Sequence, residues 1–443
     1  MNFSTICLLD LGKGKQPENT NSKKAAKSIP GVRECFSFSS SGRSVVRSVV
    51  LANGRSAAAR LDTSVYNRNF DDPQAAFDYA FLRLRERPPQ PSYTETVRVV
   101  DLFCGCGGLS LGAREACEAS NKQFSCVGAV DNDPVPLEVY KRNFPGSKTF
   151  AREITELLDG KIGSSITSKE YPFVRDLGHV DILLAGPPCQ GFSDLNNHSR
   201  RNDPRNILYE RVARFVELVR PTHILIENVS TAMLGKEKAV ERSLEVIERL
   251  GYNFDSGIVD TASIGVPQKR KRHVIVASLV RRISVMKVIE KFRVDRERSV
   301  MWAIGDLVNE SKDKLFNKPS KQKVENVKRI MYLFDNGLFD LPDSQRPKCH
   351  RTGRHSYKSA YGRIKPDEPS QTITGGFGSP GQGRFIHPIE PRTLSPHEAA
   401  RLQFFPDFFD FSSVKKRTAL AAMIGNAAPM KLSYIFGLEL LAQ

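Results

Sequence analysis

From Thr96 onward the sequence repeats one pattern: a short apolar run, then a longer stretch whose apolar residues recur at helical spacing. The runs fall at 97–103, 126–131, 180–185, 223–226 and 273–278, and the helical stretches at 109–120, 134–143, 207–219 and 236–250. A strand that is apolar throughout must be covered on both faces, and parallel neighbours need crossover helices to connect them. The pattern therefore predicts an α/β fold with a doubly wound, mostly parallel sheet. Gly251 suits a left-handed cap on the fourth helix. Ligands of such sheets collect beyond the carboxyl ends of the strands, so unusual residues at those ends are the candidates for function.

Outside this region the texture changes. Residues 1–60 are rich in Ser, Gly, Asn, Lys and Arg without a sustained period, and are expected to be loosely ordered. One helix is predicted over 73–87, ended by Pro88-Pro89-Gln90-Pro91. Past Ser278, basic and irregular sequence leads to the glycine-rich GGFGSPGQGR at 375–384; helical patterning returns at 395–404 and again from Pro429. The expected organisation is a loosely ordered basic extension over 1–95, the α/β unit over 96–280, a smaller inserted domain with a hinge over 281–411, and a return to the first unit over 412–443.

The formal net charge is +17, and its location decides what it means. Residues 281–365 hold 21 Lys and Arg against 10 Asp and Glu, and residues 1–90 hold 14 against 8, while the remainder balances. Such a layout favours a nucleic acid over a small metabolite, with a solvated basic surface as the plain alternative. The extension is expected to add nonspecific affinity for DNA. The eight cysteines contain one close pair, Cys104-x-Cys106, and no C-x-x-C or Cys/His ladder, so reduced thiols and no metal site are expected. Asp10 follows the first short apolar run too soon for a secretory signal, and no segment nears the ~18 apolar residues of a membrane span. A soluble, intracellular protein is expected.

Each predicted strand ends on residues that carry chemistry. Phe103 leads into Gly105, Gly107 and Gly108, where backbone could approach a ligand closely or could simply turn tightly. The spacing is not that of a dinucleotide fingerprint, which disfavours a nicotinamide oxidoreductase. Asp131 could accept from the two hydroxyls of a ribose or could cap the helix that begins at Pro134. Glu153 could receive an exocyclic amine or lie in a surface ion pair. Pro187 and Pro188 stiffen the chain just ahead of Cys189, which holds that thiol in a defined place; alone, a cysteine is more often inert. Glu227 closes an apolar strand, where burial favours holding a proton and acting as an acid; a cap or an ion pair is the plain alternative. Arg270 and Arg272 alternate with lysines, so in an extended segment both face one side and could orient a planar ligand.

Taken together, these segments resemble the cytosine-5 DNA methyltransferase family in its prokaryotic form. DLFCGCGGLSLG is similar to its first motif, GPPCQGFS to its catalytic motif, ENV to its glutamate motif and QKRKR to its Gln-x-Arg-x-Arg motif. RTLSPHEAARLQFFP is similar to its ninth motif and GNAAP to its last, all in the family's order between Asp101 and Pro429. The resemblance implies a sheet of the S-adenosylmethionine-dependent methyltransferase type, with 96–280 as catalytic and cofactor-binding domain and 281–411 as target-recognition domain.

It also implies roles. Cys189 is expected to add to C6 of a cytosine flipped from the duplex, with Glu227 at N3, Arg272 holding the base and Arg270 supporting the site. For the cofactor, S-adenosyl-L-methionine, Phe103 is expected against the adenine, Gly105 and Gly107 beside the methionine portion, and Asp131 at the ribose. Gly108, Leu109, Asn132, Glu153, Ile154, Pro187, Asn426 and Ala427 complete that expected set. Gln190, Ser193, Arg200, Arg201 and Gln268 are expected to contact DNA, the loop 191–209 serving as a mobile lid. The chain departs from the family at Glu153, usually aspartate, at Asn132, often a large apolar residue, and at Ala428, commonly valine. The implied setting is restriction-modification: a cytoplasmic, nucleoid-associated monomer acting on double-stranded DNA, with a cognate endonuclease as functional partner.

Two rivals share the scaffold. An RNA cytosine methyltransferase of the tRNA-modifying branch tends to carry a smaller insertion with a Cys-Phe-Thr signature, absent here. A DNA-binding regulator on a decayed enzyme has no need of Cys189, Glu227 and both arginines.

Overall fold

The computed structural model describes residues 31–89, 92–93, 95–188, 207–230, 239–351 and 359–442. Strands β1 (Arg33–Phe38), β2 (Ser44–Val50) and β3 (Ser56–Asp62) form an antiparallel sheet in that order, and helix α1 (Pro73–Leu82) follows. The main sheet then builds through β4 (Thr96–Leu102), α2 (Gly108–Ala119), β5 (Gln123–Asp131), α3 (Pro134–Asn143), β6 (Thr149–Ala151), α4 (Ile154–Leu157) and α5 (Glu170–Leu177). It continues through β7 (Ile182–Ala185), α6 (Ile207–Val219), β8 (His223–Val229), α7 (Ala239–Arg249), β9 (Asn253–Asp260), β10 (Gln268–Lys269) and β11 (Lys271–Ser278). After it come α8 (Val285–Lys291), α9 (Val300–Ile304), α10 (Val324–Asp335), β12 (Ser370–Gln371), α11 (Pro396–Leu402), α12 (Arg417–Asn426) and α13 (Met430–Leu440).

Among the described residues, seven strands form the main sheet in the order β6-β5-β4-β7-β8-β11-β9, with β11 antiparallel to both neighbours and the others parallel. Successive side chains of one strand enter different cores. Val99 and Leu184 join the cluster on one face, and Val100 and Leu183 the cluster on the other. That double burial is why the strands read as continuous apolar runs. The chain reverses its winding between β4 and β7, which puts the crevice of the sheet beyond their carboxyl ends.

Helix α13 lies on α2. A Cβ at Gly112 would sit 1.9 Å from Met430 O, and Ser433 Oγ donates to Leu109 O at 2.7 Å. β6, α5 and β9 lie outside the predicted elements. The helix expected over 73–87 stops at Leu82.

The extension expected to be loosely ordered over 1–95 is not so where it is described. β2 turns Val45, Arg47 and Val49 inward, and α1 is capped by Asp72, which accepts from Ala75 N at 3.0 Å. Arg83 donates to Trp302 O at 3.1 Å and Ala303 O at 3.2 Å, and Lys431 pairs with Asp78 at 2.5 Å. Phe77, Tyr79 and Phe81 belong to the main core. The order comes from tertiary contact, because Ser, Ala and Arg in these strands give little alternation of their own. Arg55 pairs with Glu95, at the amino end of β4, so this sheet lies near the end of the main sheet remote from its crevice.

The segment expected as one inserted domain, 281–411, divides. Its two ends are part of the main core through residues such as Val288, Trp302, Leu394 and Leu402. Among the described residues, Ile330, Leu333, Leu341, Ala360, Tyr361 and Ile386 form a separate small cluster. Among the described residues, no helix is long and apolar enough to cross a membrane.

Candidate active site

A cavity of about 1060 Å3 opens at the carboxyl ends of β4, β5, β7 and β8. Its first wall is the turn from β4 into α2. Phe103 has φ +60°, a left-handed backbone that a bulky residue adopts only when its surroundings hold it there. Gly105 lines the cavity, and a Cβ there would meet nothing within 4 Å, so the turn leaves open space for a ligand. Gly107 is different. It has φ +96°, and a Cβ would fall 2.5 Å from the Phe144 ring, so this glycine, expected beside the cofactor, serves the packing of the turn and does not line the cavity. Gly108 and Leu109 do line it; a Cβ at Gly108 would strike Ala428 O at 2.4 Å.

Asp131 ends β5. Its Oδ2 accepts from Gly105 N at 2.8 Å and its Oδ1 from Asp133 N at 3.0 Å, while Asp133 itself caps α3. Each carboxylate oxygen keeps a second lone pair for a ligand hydroxyl. Partial burial pushes the Asp131 carboxyl above its ordinary range. Asn132 donates to Glu153 Oε1 at 2.7 Å, which ties the ends of two neighbouring strands, and Ile154 lies buried behind them. All four residues line the cavity.

Two features here escaped the sequence. Asp101 is fully buried at the cavity wall; desolvation pushes its carboxyl up to about 7, against a hydrogen bond of 2.6 Å from Ser110 that acts the other way. Cys104 and Cys106 also line the cavity, and burial pushes both thiols up, Cys106 to about 12. They stay protonated at neutral pH and are poor nucleophiles.

The raised Asp101 carboxyl makes the stability of the fold depend on pH. Between about pH 4 and pH 7 the unfolded chain releases this proton and the folded chain keeps it, so stability falls as pH rises through that window and levels above it. Asp101→Asn removes the titration and retains an acceptor for Ser110. Its stability relative to the parent is expected to be more favourable at pH 8 than at pH 4, by on the order of 4 kcal/mol. Urea unfolding at the two pH values checks this; parallel profiles would refute it.

The opposite wall comes from β8 and β11. Glu227 and Arg272 form an ion pair at 2.5 Å with each side chain only 12% exposed. Arg272 Nε approaches Glu227 Oε1 without the alignment of a hydrogen bond, and that oxygen is itself buried, so the contact is electrostatic. Asn228, assigned no role from sequence, donates to Pro187 O at 3.1 Å and to Tyr209 Oη at 2.6 Å. It thereby fixes the loop that leads to Cys189. Asn228 lines the same cavity as Glu227.

Arg270 lines the cavity but spends its guanidinium on backbone, donating to Ile373 O at 2.8 Å and Gly425 O at 3.1 Å. It holds two segments together. Gln268, expected to contact DNA, is fully buried and lies off the cavity. Its amide donates to Leu402 O and Gln403 Oε1 and accepts from Ile373 N, so it has been drawn into the protein interior. Asn426 and Ala427 line the cavity, as do Thr372 and Thr374, which sequence reasoning did not single out. Cys189, Gln190, Ser193, Arg200 and Arg201 lie outside the described residues.

One group of possible metal ligands occurs among the described residues, His387, Glu390 and Glu398, away from the cavity. Arg392 pairs with both carboxylates and Lys312 with Glu390, so the cluster neutralises itself.

The family model for C-5 cytosine-specific DNA methylase matches residues 97–441. The chain is 42% identical over 404 residues to Type II methyltransferase M1.BsuMI of Bacillus subtilis, covering 90% of this chain and 93% of that one. That alignment includes part of the N-terminal sheet. It is 29% identical over 349 residues to Type II methylase M.HgiDII of Herpetosiphon aurantiacus, covering 76% and 93%. Among solved structures, Dnmt2 methyltransferase of S. pombe superposes with a TM-score of 0.55 at 22% identity, covering 78% of this chain and 98% of that one. A DNA modification methyltransferase encoded within an E. coli prophage, described as putative, gives 0.53 at 23%, covering 78% and 98%. These two likenesses concern the fold.

Proposed function

The chain belongs to the C-5 cytosine-specific DNA methylase family, and on that premise we propose how this DNA (cytosine-5-)-methyltransferase uses its cavity. The cofactor is S-adenosyl-L-methionine, which when bound supplies the methyl group. The residues present fit it: open space beyond Gly105, an Asp131 carboxylate with lone pairs to spare, and the Asn132–Glu153 pair at the rim. Phe103, Leu109, Ile154, Pro187, Asn426 and Ala427 complete its walls.

The target cytosine enters beside Glu227 and Arg272. Cys189 adds through sulfur to C6, and the electron pair of the C5–C6 bond moves toward C5. Glu227, in its protonated form, donates to N3 and offsets the negative charge that addition creates, taking the proton back when the C6–S bond breaks, and Arg272 keeps that carboxyl in place. C5 takes the methyl group, the C5 proton leaves to a base, and the C6–S bond breaks to return the thiolate. The observation that carries this reading is the Glu227–Arg272 pair, buried beside the loop that leads to Cys189 in the same cavity as Asp131. A base stacked in a duplex cannot reach such a place, so flipping is required.

Target recognition falls to the part of the chain around the separate cluster at 330–386 together with the basic stretch at 281–365 that leads into it. The Type II names of the relatives support a role in restriction-modification, with an endonuclease as functional partner. Bisulfite sequencing of DNA from cells expressing the protein tests substrate and target together. One recurring sequence with a protected cytosine is expected. Protection absent from DNA but present in tRNA would transfer the reading to the RNA-modifying branch.

A further inference from the structure

Helix α12 ends at Asn426 without a glycine to cap it; Ala427, Ala428 and Pro429 follow in extended backbone or a new helix start. The last carbonyls of a helix need partners from elsewhere. They find them in Gln403, a fully buried residue just past the end of α11. Its Nε2 donates to Ile424 O at 2.7 Å and lies 3.3 Å from Ala427 O and 3.4 Å from Gly425 O. Three carbonyls of one turn converge on one amide. Gln403 is itself held, because its Oε1 accepts from Gln268 Nε2 at 2.9 Å. The turn also presses on the chain returning from the recognition segment: a Cβ at Gly425 would lie 2.1 Å from Gly375 N.

We propose that Gln403 is a positioning residue for the cofactor site: by capping α12 from outside it fixes the turn that presents Asn426 to the cavity. This rests on the reading that Asn426 faces the cofactor. Asn426 is exposed at the cavity wall, so its place depends on the turn behind it. Gln268 and Arg270 carry the same junction to Ile373, next to Thr372 and Thr374 of the cavity wall.

The test is a double-mutant cycle read by calorimetric binding of S-adenosyl-L-methionine to the full-length protein without DNA. Gln403→Met keeps length and packing but removes the donor. It is expected to weaken binding about tenfold, the equivalent of one lost buried hydrogen bond. KM for the cofactor should rise accordingly, with kcat at saturation falling less than about threefold. Nonspecific DNA affinity should stay within about twofold. Asn426→Ala should also weaken binding, and in that background Gln403→Met should add little. Losses that add in full, or parent-like affinity of a folded Gln403→Met protein, would overturn the proposal. Parent-like affinity of Asn426→Ala would instead overturn the cofactor reading. If Gln403→Met does not fold, Gln403→Asn, which keeps the amide but withdraws it by one methylene, runs the same cycle with the same outcomes.

Discussion

Cys189→Ala protein is expected to bind DNA and S-adenosyl-L-methionine close to normally and to transfer no methyl group, a loss of at least about 10⁴-fold in turnover. The size follows from what the thiolate does. C5 of cytosine is a weak nucleophile until a group adds at C6, and Cys189 is the residue proposed to add there. The other cysteines near the cavity cannot substitute, since burial keeps Cys104 and Cys106 protonated. Single-turnover transfer of labelled methyl groups measures the loss. DNA carrying 5-fluorocytosine at the target supplies the complement, because fluorine cannot leave as a proton does. The parent should be trapped as a covalent adduct at Cys189 and the variant should not. Turnover retained by Cys189→Ala would exclude covalent catalysis by this residue.

Arg272→Met is expected to damage stability and activity together, and a second substitution separates the two. The variant leaves Glu227 buried and unpaired, which costs about 3–5 kcal/mol when a buried pair loses one partner. Turnover should fall by about 10²-fold or more, because the carboxyl no longer has a cation to place it. Replacing Glu227 by Gln in the same protein removes the stranded charge. Denaturant unfolding should then show most of the stability restored, while activity stays lost. Recovery of activity in the double variant would show that the pair is structural only. Unchanged stability in Arg272→Met would show that the 2.5 Å contact contributes nothing.

What the sequence showed, and what it hid, differ by the range of the interactions involved. The sheet was legible because a strand buried on both faces must be apolar throughout, as 182–185 and 273–278 are, and this constraint acts on each residue locally. The cavity residues were legible because they sit where such strands end. Phe103, Asp131 and Glu227 close predicted runs, whereas Glu153 follows a strand that was not predicted and Arg272 opens an antiparallel one, and the resemblance to the family supplied the roles of all five. The N-terminal sheet was illegible. Its strands place Arg47 inward and its helix α1 relies on Trp302 and Asp306, residues more than two hundred positions away.

The chain's own order thus determined the class of fold, the place of the site and the chemistry its side chains can perform. The tertiary structure alone decided which polar residues face the cavity and which are spent inside. Gln268 and Arg272 lie four residues apart in one basic run, yet one is sealed against Gln403 and Ile373 and the other reaches Glu227. Local pattern assigns a residue to a strand or a turn, but the partner that satisfies its hydrogen bonds comes from distant chain and exists only once the fold has brought it near.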